Sequence, residues 1–269
     1  MAVFEVNFFA YTLNRRVPVN VILPTDKFYF PGMKKREEGK PYKTLYLLHG
    51  VTDNYSDWLY KSQILQFAED RDLAVVMPSG ENSFYVDHVW DTNLYGEFIT
   101  KDLLEFTRKT FPLSAKREDT YIAGLSMGGY GAIRNALMCS ETFGAAASLS
   151  GAFWTNEESF AQPVENPFYF VEKTEYRKSC FGQDLLAAVH SEKYNLKLLV
   201  EKLLKEGKKL PAIYLACGEE DGLLPLSKDM SDFLTTHGVE HTFETGSGNH
   251  EWDFWNRYIK RIIDWLPLE

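Results

Sequence analysis

Continuous apolar runs that alternate with amphipathic segments constrain the fold of this chain more than any other feature. The runs "TLYLLHG", "LAVVMPS", "TYIAGLS", "FGAAASLSGA" and "PAIYLACG" lack the polar alternation of a strand with one face in water. Segments with helical spacing, such as "EFITKDLLEFTRKTF" and "GGYGAIRNALMCS", lie between several of them. Strands that are buried on both faces and joined by helices form parallel sheets. The pattern therefore predicts a doubly wound α/β domain with a mostly parallel sheet of about eight strands.

Two parts of the chain depart from this alternation. The first two apolar stretches, "FEVNFFAYTL" and "RRVPVNVILP", are rich in β-branched and aromatic residues and predict an antiparallel hairpin. The segment at about 153–193 carries aromatic residues without a clear period, and it leaves the carboxyl end of a predicted strand. Ligands of α/β sheets bind at that edge. We expect one domain over 1–269, with this insertion as a small lid or pocket wall; a surface excursion packed on the body is the alternative.

Composition narrows the classes of function. The chain has 269 residues, a formal net charge of -9 and no basic stripe, which argues against a nucleic-acid partner. Its three cysteines fit neither a disulfide framework nor a metal motif, and suit a reducing compartment. The sequence shows no signal peptide and no membrane-spanning stretch. We expect a cytoplasmic protein with no metal and no membrane partner; its oligomeric state is open, a homo-oligomer included.

The segment "YIAGLSMGGYGA" carries the clearest chemical signal. Gly124-Leu125-Ser126-Met127-Gly128 fits the pattern G-x-S-x-G between a predicted strand and a predicted helix, as that motif requires. The two flanking glycines leave room for a strained turn that would hold the serine oxygen at a helix N-terminus. A glycine-rich turn that only lets the helix pack closely on the strand is the competing interpretation.

A serine hydroxyl needs a base, and the α/β-hydrolase chain order places an acid and then a histidine after the serine. His250 in "GSGNHEWDFW" and Asp221 in "ACGEEDGLLP" lie on loops that leave the carboxyl ends of predicted strands. Both side chains can therefore reach the crevice at Ser126. Glu220 is the alternative acid, but the shorter Asp221 side chain would fix the imidazole more rigidly.

Two backbone donors and a pocket would complete such a site. The N–H groups of Met127, directly after the serine, and of Val51, in the loop after "YLLHG", are the candidate oxyanion donors. Four side chains near these loops are candidates for contact with substrate: Trp58, His88, Trp154 and Trp252.

Five blocks, "YLLHGVTDNYSDW", "GLSMGGYGA", "LSGA", "CGEEDGL" and "GNHEWDFW", together resemble the putative-esterase (esterase D-like) family of α/β-hydrolases. The similarity is greatest to bacterial tributyrin and acetyl esterases. It implies an α/β-hydrolase fold and a cofactor-free serine carboxylesterase that acts on small-molecule esters with short acyl chains through an acyl-enzyme. It also implies that Ser126 is the nucleophile, Asp221 the acid and His250 the base, with oxyanion donors at Val51 and Met127.

The same family includes enzymes with other substrates. A carbohydrate-directed acetyl or feruloyl esterase is one alternative, since an aromatic insertion suits sugar or phenolic rings. An S-formylglutathione hydrolase is disfavoured, because those relatives carry a cysteine shortly after the oxyanion-loop glycine and this chain has "GVTDNYSDW" there. A non-catalytic binding module of the same fold is a further alternative, against which the ordered Ser, Asp and His weigh. Bulky aromatic residues near the nucleophile predict an acyl pocket that suits acetate to butyrate.

Overall fold

The structure is a computed structural model that describes residues 1–33, 35–88, 92–160 and 170–268. Eight strands of these residues form one sheet: Ala2–Ala10 (β1), Arg15–Leu23 (β2), Thr44–Leu48 (β3), Ala74–Pro78 (β4), Thr120–Leu125 (β5), Ala145–Leu149 (β6), Ala212–Gly218 (β7) and His241–Gly246 (β8). Their order across the sheet is β1-β2-β4-β3-β5-β6-β7-β8. Among these strands β2 alone runs in the direction opposite to the other seven. The predicted sheet and its first hairpin are confirmed.

Helices cover both faces of the sheet. Those of four residues or more are Asp57–Lys61 (α1), Ile64–Asp70 (α2), Leu103–Thr110 (α3), Met127–Met138 (α4), Glu157–Phe160 (α5), Thr174–Phe181 (α6), Leu185–Val189 (α7), Leu196–Lys205 (α8), Leu224–Thr236 (α9) and Trp252–Trp265 (α10). Alternate residues of β3 face opposite cores, since Leu45 and Leu47 pack with α2 and α10, whereas Tyr46 and Leu48 pack with α4 and α8. No helix in the described residues is long and apolar enough to span a membrane.

Two helical segments differ from their predicted form. The stretch "LYKSQILQFAEDRD" predicts a single helix, but α1 and α2 are separated at Ser62, whose backbone is extended. The Ser62 hydroxyl donates to the Trp58 carbonyl at 2.5 Å and accepts from the Ile64 N–H at 3.2 Å. Serine hydroxyls compete with helical backbone bonds in this way. In the next predicted helix, a π-helical turn at Phe98–Asp102 precedes α3.

Helix α8 has no counterpart among the predicted elements. The Asn195 side chain caps its N-terminus by accepting from the Lys197 N–H at 3.1 Å. Its buried residues repeat at helical spacing: Leu196, Leu199, Val200 and Leu203. The signal was therefore present in "LKLLVEKLLK", directly after the aperiodic insertion.

The insertion packs on the body through an aromatic cluster. The Phe181 ring lies 4.8 Å from Phe160 and 5.3 Å from Phe84, measured between ring centroids. The Arg177 Nη1 donates to the Phe160 carbonyl at 3.0 Å, which ties α6 to the end of α5. Residues 161–169 of the predicted insertion lie outside the described residues.

Buried polar groups fix the loop that follows β3. His49 is 1% exposed, and its Nε2 accepts from the Gly80 N–H at 2.8 Å. That nitrogen therefore carries no proton, so Nδ1 donates to the Gly50 carbonyl at 2.7 Å. The Tyr85 hydroxyl lies 3.1 Å from the His49 amide nitrogen and 3.2 Å from its carbonyl oxygen. His49 and Tyr85 together hold the loops after β3 and β4 in one arrangement.

This buried imidazole predicts a component of stability that depends on pH. Burial lowers the pKa of His49 from 6.5 to about 4. The neutral ring is favoured in the folded state. Its contribution to the free energy of unfolding is therefore complete above about pH 6.5 and is lost as the pH falls towards 4. From His49 alone we expect the free energy of unfolding to fall by on the order of 3 kcal/mol across that window. Urea unfolding at several pH values measures it.

The variant His49→Gln provides the comparison, because it places an amide oxygen near the Nε2 position without a titratable ring. Between about pH 6.5 and 4.5, the free energy of unfolding of this variant should decrease by less than that of the wild type. His237→Gln, at an exposed position after α9, is the matched control and should parallel the wild type. Parallel profiles for His49→Gln and the wild type would contradict the assignment.

Candidate active site

Ser126 lies at a strained turn between β5 and α4. Its φ of 52° and ψ of -117° are sparsely populated by residues other than glycine. The flanking glycines permit the turn: a Cβ on Gly128 would lie 2.5 Å from the His49 carbonyl oxygen, and one on Gly124 would meet the Gly128 carbonyl. The absence of these two Cβ atoms lets α4 approach β3 and β5. The Ser126 side chain is thereby held at the N-terminus of α4.

Two loops bring an imidazole and a carboxylate to this serine. His250, between β8 and α10, lies with Nε2 3.0 Å from Ser126 Oγ and with Nδ1 2.9 Å from Asp221 Oδ2. Asp221 lies after β7, and its Oδ1 accepts from the Leu223 N–H at 2.8 Å. A carboxylate at Nδ1 selects the tautomer that carries its proton there. Nε2 is then free to accept the proton of the serine hydroxyl.

The carboxylate of Asp221 is buried and charged. Its side chain is 1% exposed, whereas that of His250 is 35% exposed. Burial raises the pKa of the Asp221 carboxyl, but the hydrogen bonds from His250 and the Leu223 N–H outweigh it and hold that pKa below its usual range. Glu220 points elsewhere, since its Oε2 accepts from the Gly248 N–H at 2.6 Å. Of the two candidate acids, the structure places Asp221 against the imidazole.

Both candidate oxyanion donors lie beside Ser126. A Cβ on Gly50 would come within 3.5 Å of Ser126 Cβ, and the next residue, Val51, lines the same cavity as the serine. Met127 begins α4, so its N–H is one of the free donors of a helix N-terminus. Within residues 1–33, 35–88, 92–160 and 170–268, neither N–H donates to a protein acceptor. They are therefore available to a ligand oxygen.

Ser126 and His250 open into a cavity of about 920 Å³. Among the residues that line it, the Trp154 and Phe84 rings lie 4.9 Å apart between centroids. Trp252 also lines the cavity. The described parts of the insertion contribute three residues to the wall: Trp154, Val171 and Glu172. The insertion thus borders the cavity, as a pocket wall would.

Two of the four predicted pocket residues lie elsewhere. Trp58 is 1% exposed, and its indole N–H donates to the Leu48 carbonyl at 2.9 Å. Its ring supports Trp252 edge-on, at 5.0 Å between centroids. His88 lies with Nε2 3.2 Å from the Ser83 carbonyl oxygen, in a separate surface pocket. Neither residue is among the described residues that line the cavity, so the structure does not bring Trp58 or His88 to the site of Ser126.

Other cavity residues were not predicted. Phe84 follows β4, while Asp53 and Lys61 follow β3. The Lys61 Nζ lies 2.9 Å from Asp53 Oδ1 and 5.3 Å from the centroid of the Trp252 ring. Ligands of α/β sheets bind at the carboxyl ends of the strands, and these residues follow such ends. The rule that pointed to the loop of Asp221 therefore points to their loops as well. That rule does not say which side chains turn inward.

Comparison with known proteins agrees with this geometry. A family described as Putative esterase matches residues 10–266. The acetyl esterase of Caldicellulosiruptor saccharolyticus is 39% identical over 268 residues, which span 99% of this chain and 98% of that protein. FphF, a fluorophosphonate-binding serine hydrolase of Staphylococcus aureus solved with bound substrate, has a TM-score of 0.84 and 29% identity over 100% of this chain and 98% of that chain. The S-formylglutathione hydrolase FrmB of the same organism, solved as the apoenzyme, has a TM-score of 0.80 and 29% identity over 100% and 99%.

These similarities run from end to end of the chain and include the eight-stranded sheet and the region of the serine. The resemblance identified from the sequence blocks is therefore confirmed. The chain belongs to the Putative esterase family and is a carboxylic ester hydrolase with the α/β-hydrolase fold.

Proposed function

We propose that this chain is a serine carboxylesterase that hydrolyses short-chain acyl esters of small molecules. Ser126 is the nucleophile, His250 the general base and acid, and Asp221 the acid that orients the imidazole. The observation that carries the proposal is the continuous line of hydrogen bonds from Ser126 Oγ through His250 to Asp221, at 3.0 and 2.9 Å. That line ends in a cavity large enough for a small ester.

The reaction follows from these positions. Ser126 Oγ attacks the ester carbonyl as its proton passes to His250 Nε2. The carbonyl oxygen becomes an oxyanion, which accepts from the N–H groups of Met127 and Val51. Collapse of the intermediate breaks the bond to the leaving alcohol, which takes the proton from His250. Water then attacks the acyl-enzyme and gives a proton to His250. The bond to Ser126 Oγ breaks as Oγ takes that proton back, which releases the carboxylic acid and restores the Ser126 hydroxyl.

The leaving group must lie within reach of His250, because that residue protonates it. The cavity residues that follow His250 in the chain are Glu251 and Trp252, so we assign the alcohol to their side. The acyl group then points towards Trp154 and Phe84. This paired aromatic wall supports a short acyl pocket.

The alcohol side supports a narrower candidate, an ester of a sugar. Trp252 presents an aromatic ring there, and Asp53 and Lys61 supply an acceptor and donors beside it. Aromatic rings with a few fixed polar groups are the usual way to recognise polar ring-shaped ligands. Acetylated sugars and p-nitrophenyl acetate compared on one enzyme preparation distinguish this candidate from a general esterase. The same panel should include S-formylglutathione, the thioester in the name of FrmB, to test whether this chain hydrolyses it as well.

The proposed compartment is the cytoplasm. Cys139, Cys180 and Cys217 are free thiols in the structure. Separated free thiols suit a reducing environment, where disulfides are rare.

Replacement of the nucleophile tests the proposed function directly. Ser126→Ala should lower kcat for p-nitrophenyl acetate by at least about 10⁴-fold, because the variant cannot form the acyl-enzyme. A fluorophosphonate reagent should label the wild type at Ser126, as detected by mass spectrometry, and leave the variant unmodified. Circular dichroism provides the control for folding. A folded Ser126→Ala protein with activity close to wild type would rule out the mechanism.

The choice of acid gives a second prediction. Asp221→Asn should lower kcat by about 10⁴-fold, because an amide at Nδ1 favours the wrong tautomer of His250. Glu220→Gln is the matched control, since it makes the same chemical change one residue away, on a side chain that contacts Gly248. It should keep activity within a few-fold of wild type. A larger loss in Glu220→Gln than in Asp221→Asn would transfer the role to Glu220.

Acyl length gives a third prediction. Each extra buried methylene contributes about 0.8 kcal/mol, whereas overpacking against Trp154 costs about 1–3 kcal/mol. We expect kcat/KM to be highest for acetate to butyrate and to fall by octanoate. Trp154→Ala should move the optimum to longer chains, measured with a series of p-nitrophenyl esters.

The matched control is Trp265→Ala, the same change at the distal end of α10, where the ring packs on Tyr214. It should leave the order of chain lengths unchanged. A wild-type profile that rises through octanoate would show that the region of Trp154 opens as an acyl channel.

A further inference from the structure

One ammonium group lies between two carboxylates at the wall of the cavity. Lys61 is the last residue of α1, and its Nζ lies 2.9 Å from Asp53 Oδ1 and 2.6 Å from Asp57 Oδ1. The Asp53 and Asp57 side chains are 11% and 12% exposed, so solvent ions screen their charges less than those of an open surface. These three residues form the Lys61 cluster. Two carboxylates and one ammonium leave it with a negative net charge.

The Lys61 cluster lies close to the nucleophile. A Cβ atom placed on Gly50 would lie 3.5 Å from Ser126 Cβ and 3.7 Å from Asp53 Oδ2. A single methyl group would therefore contact both side chains. Asp53 and Lys61 also line the cavity into which Ser126 opens. A substrate bound at Ser126 is thus within a short distance of the charges of the cluster.

The cluster borders the side of the cavity to which the alcohol is assigned. Lys61 Nζ lies 5.3 Å from the centroid of the Trp252 ring, and Glu251, the preceding residue, lines the same cavity. Among the described residues that line the cavity, Lys61 is the only lysine or arginine, and it is already paired with two carboxylates. Glu251 and Glu172 add further carboxylates to the lining. Negative charge therefore outweighs positive charge where the alcohol would bind.

We infer that Asp53 and Lys61 are specificity-determining residues: together they set the charge of the alcohol part, so that esters of cationic and neutral alcohols are favoured over esters of anionic alcohols. The inference rests on the proposed function, since the ester must react at Ser126. An anionic group would lie beside Asp53 and Glu251, and it could gain Lys61 only by drawing the ammonium away from its carboxylates. A cationic group is attracted by the same carboxylates. Binding sites reject unwanted ligands by such contacts between like charges.

The test uses three acetate esters of similar shape whose alcohols differ in charge. Acetylcholine carries a trimethylammonium group, 3,3-dimethylbutyl acetate its neutral tert-butyl counterpart, and 2-sulfoethyl acetate a sulfonate. Values of kcat/KM are measured at pH 8 and divided by the rate constant of each ester with hydroxide, which removes differences in intrinsic reactivity. We expect the wild type to favour the cationic over the anionic ester by at least about tenfold, because a unit charge a few ångströms away changes binding several-fold even in water.

Two substitutions should shift this preference in opposite directions. Asp53→Asn removes a negative charge and should lower the ratio of the cationic to the anionic ester by about three- to tenfold. Lys61→Met removes the positive charge and should raise that ratio by a similar factor. The neutral ester accounts for changes that affect every substrate, so a merely structural role of either residue would leave the ratio in place.

The matched controls are Asp264→Asn and Lys260→Met. These residues form an ion pair on α10 with Nζ 2.7 Å from Oδ2, and neither is among the described residues that line the cavity. The two variants make the same chemical changes at a distance from Ser126. Both should keep the wild-type ratio of the cationic to the anionic ester.

Salt provides a second measurement that needs no variant. An increase from 0.01 to 1 M NaCl shortens the Debye length from about 30 to about 3 Å. The preference of the wild type for the cationic ester should decrease over this range, relative to the neutral ester. If the three esters react too slowly to be followed, the same ratio is obtained from their inhibition of p-nitrophenyl acetate hydrolysis.

A wild type that shows no preference between the cationic and the anionic ester, or that prefers the anionic one, would overturn the inference. Shifts in the same direction for Asp53→Asn and Lys61→Met would overturn it as well. Either result leaves the proposed function standing as long as the wild type hydrolyses p-nitrophenyl acetate and Ser126→Ala does not. An active Ser126→Ala would instead remove the proposed function, and the charge preference would then need another site.

Discussion

Close contact of backbone with backbone around Ser126 is the constraint on which the rest of the site depends. Gly124 and Gly128 face each other across the turn, and Gly128 also faces the carbonyl oxygen of His49. A side chain at either glycine would push α4 away from β3 and β5. The N-terminus of α4, the Ser126 oxygen and the loop that carries Val51 are therefore positioned by one set of contacts. The strain at Ser126 persists because the surrounding sheet and helix leave no relaxed alternative.

The remainder of the site depends on the sheet as a whole. His250 and Ser126 are separated by 124 residues in sequence, yet His250 Nε2 lies 3.0 Å from Ser126 Oγ. Parallel strands bring the loops at their carboxyl ends to one edge of the sheet, which is why β5, β7 and β8 can each supply one residue. The backbones that follow β7 and β8 also lie very close together, since a Cβ on Gly218 would collide with the Gly248 carbonyl. This close approach positions the loop of Asp221 against the loop of His250. These three side chains therefore come together only when the long-range contacts of the sheet have formed.

The sequence predicted those features that follow from backbone rules. Continuous apolar runs indicated the strands. The chain order of serine, acid and base pointed to Ser126, Asp221 and His250, which the structure brings within hydrogen-bonding distance of one another. Side-chain direction does not follow from such rules. Trp58 lies in a block next to the oxyanion loop, yet a helical turn points its ring into the core beneath Trp252.

Two histidines near Ser126 show that partners, rather than residue type, decide the role of a side chain. Both ring nitrogens of His49 are engaged by backbone groups, one as donor to Gly50 and one as acceptor from Gly80. Its burial disfavours a positive charge, so it holds a loop and does not take up a proton near neutral pH. His250 has a charged carboxylate on one nitrogen and the serine hydroxyl on the other. The negative charge of Asp221 lies beside His250, where it would stabilise an imidazolium in the proposed mechanism.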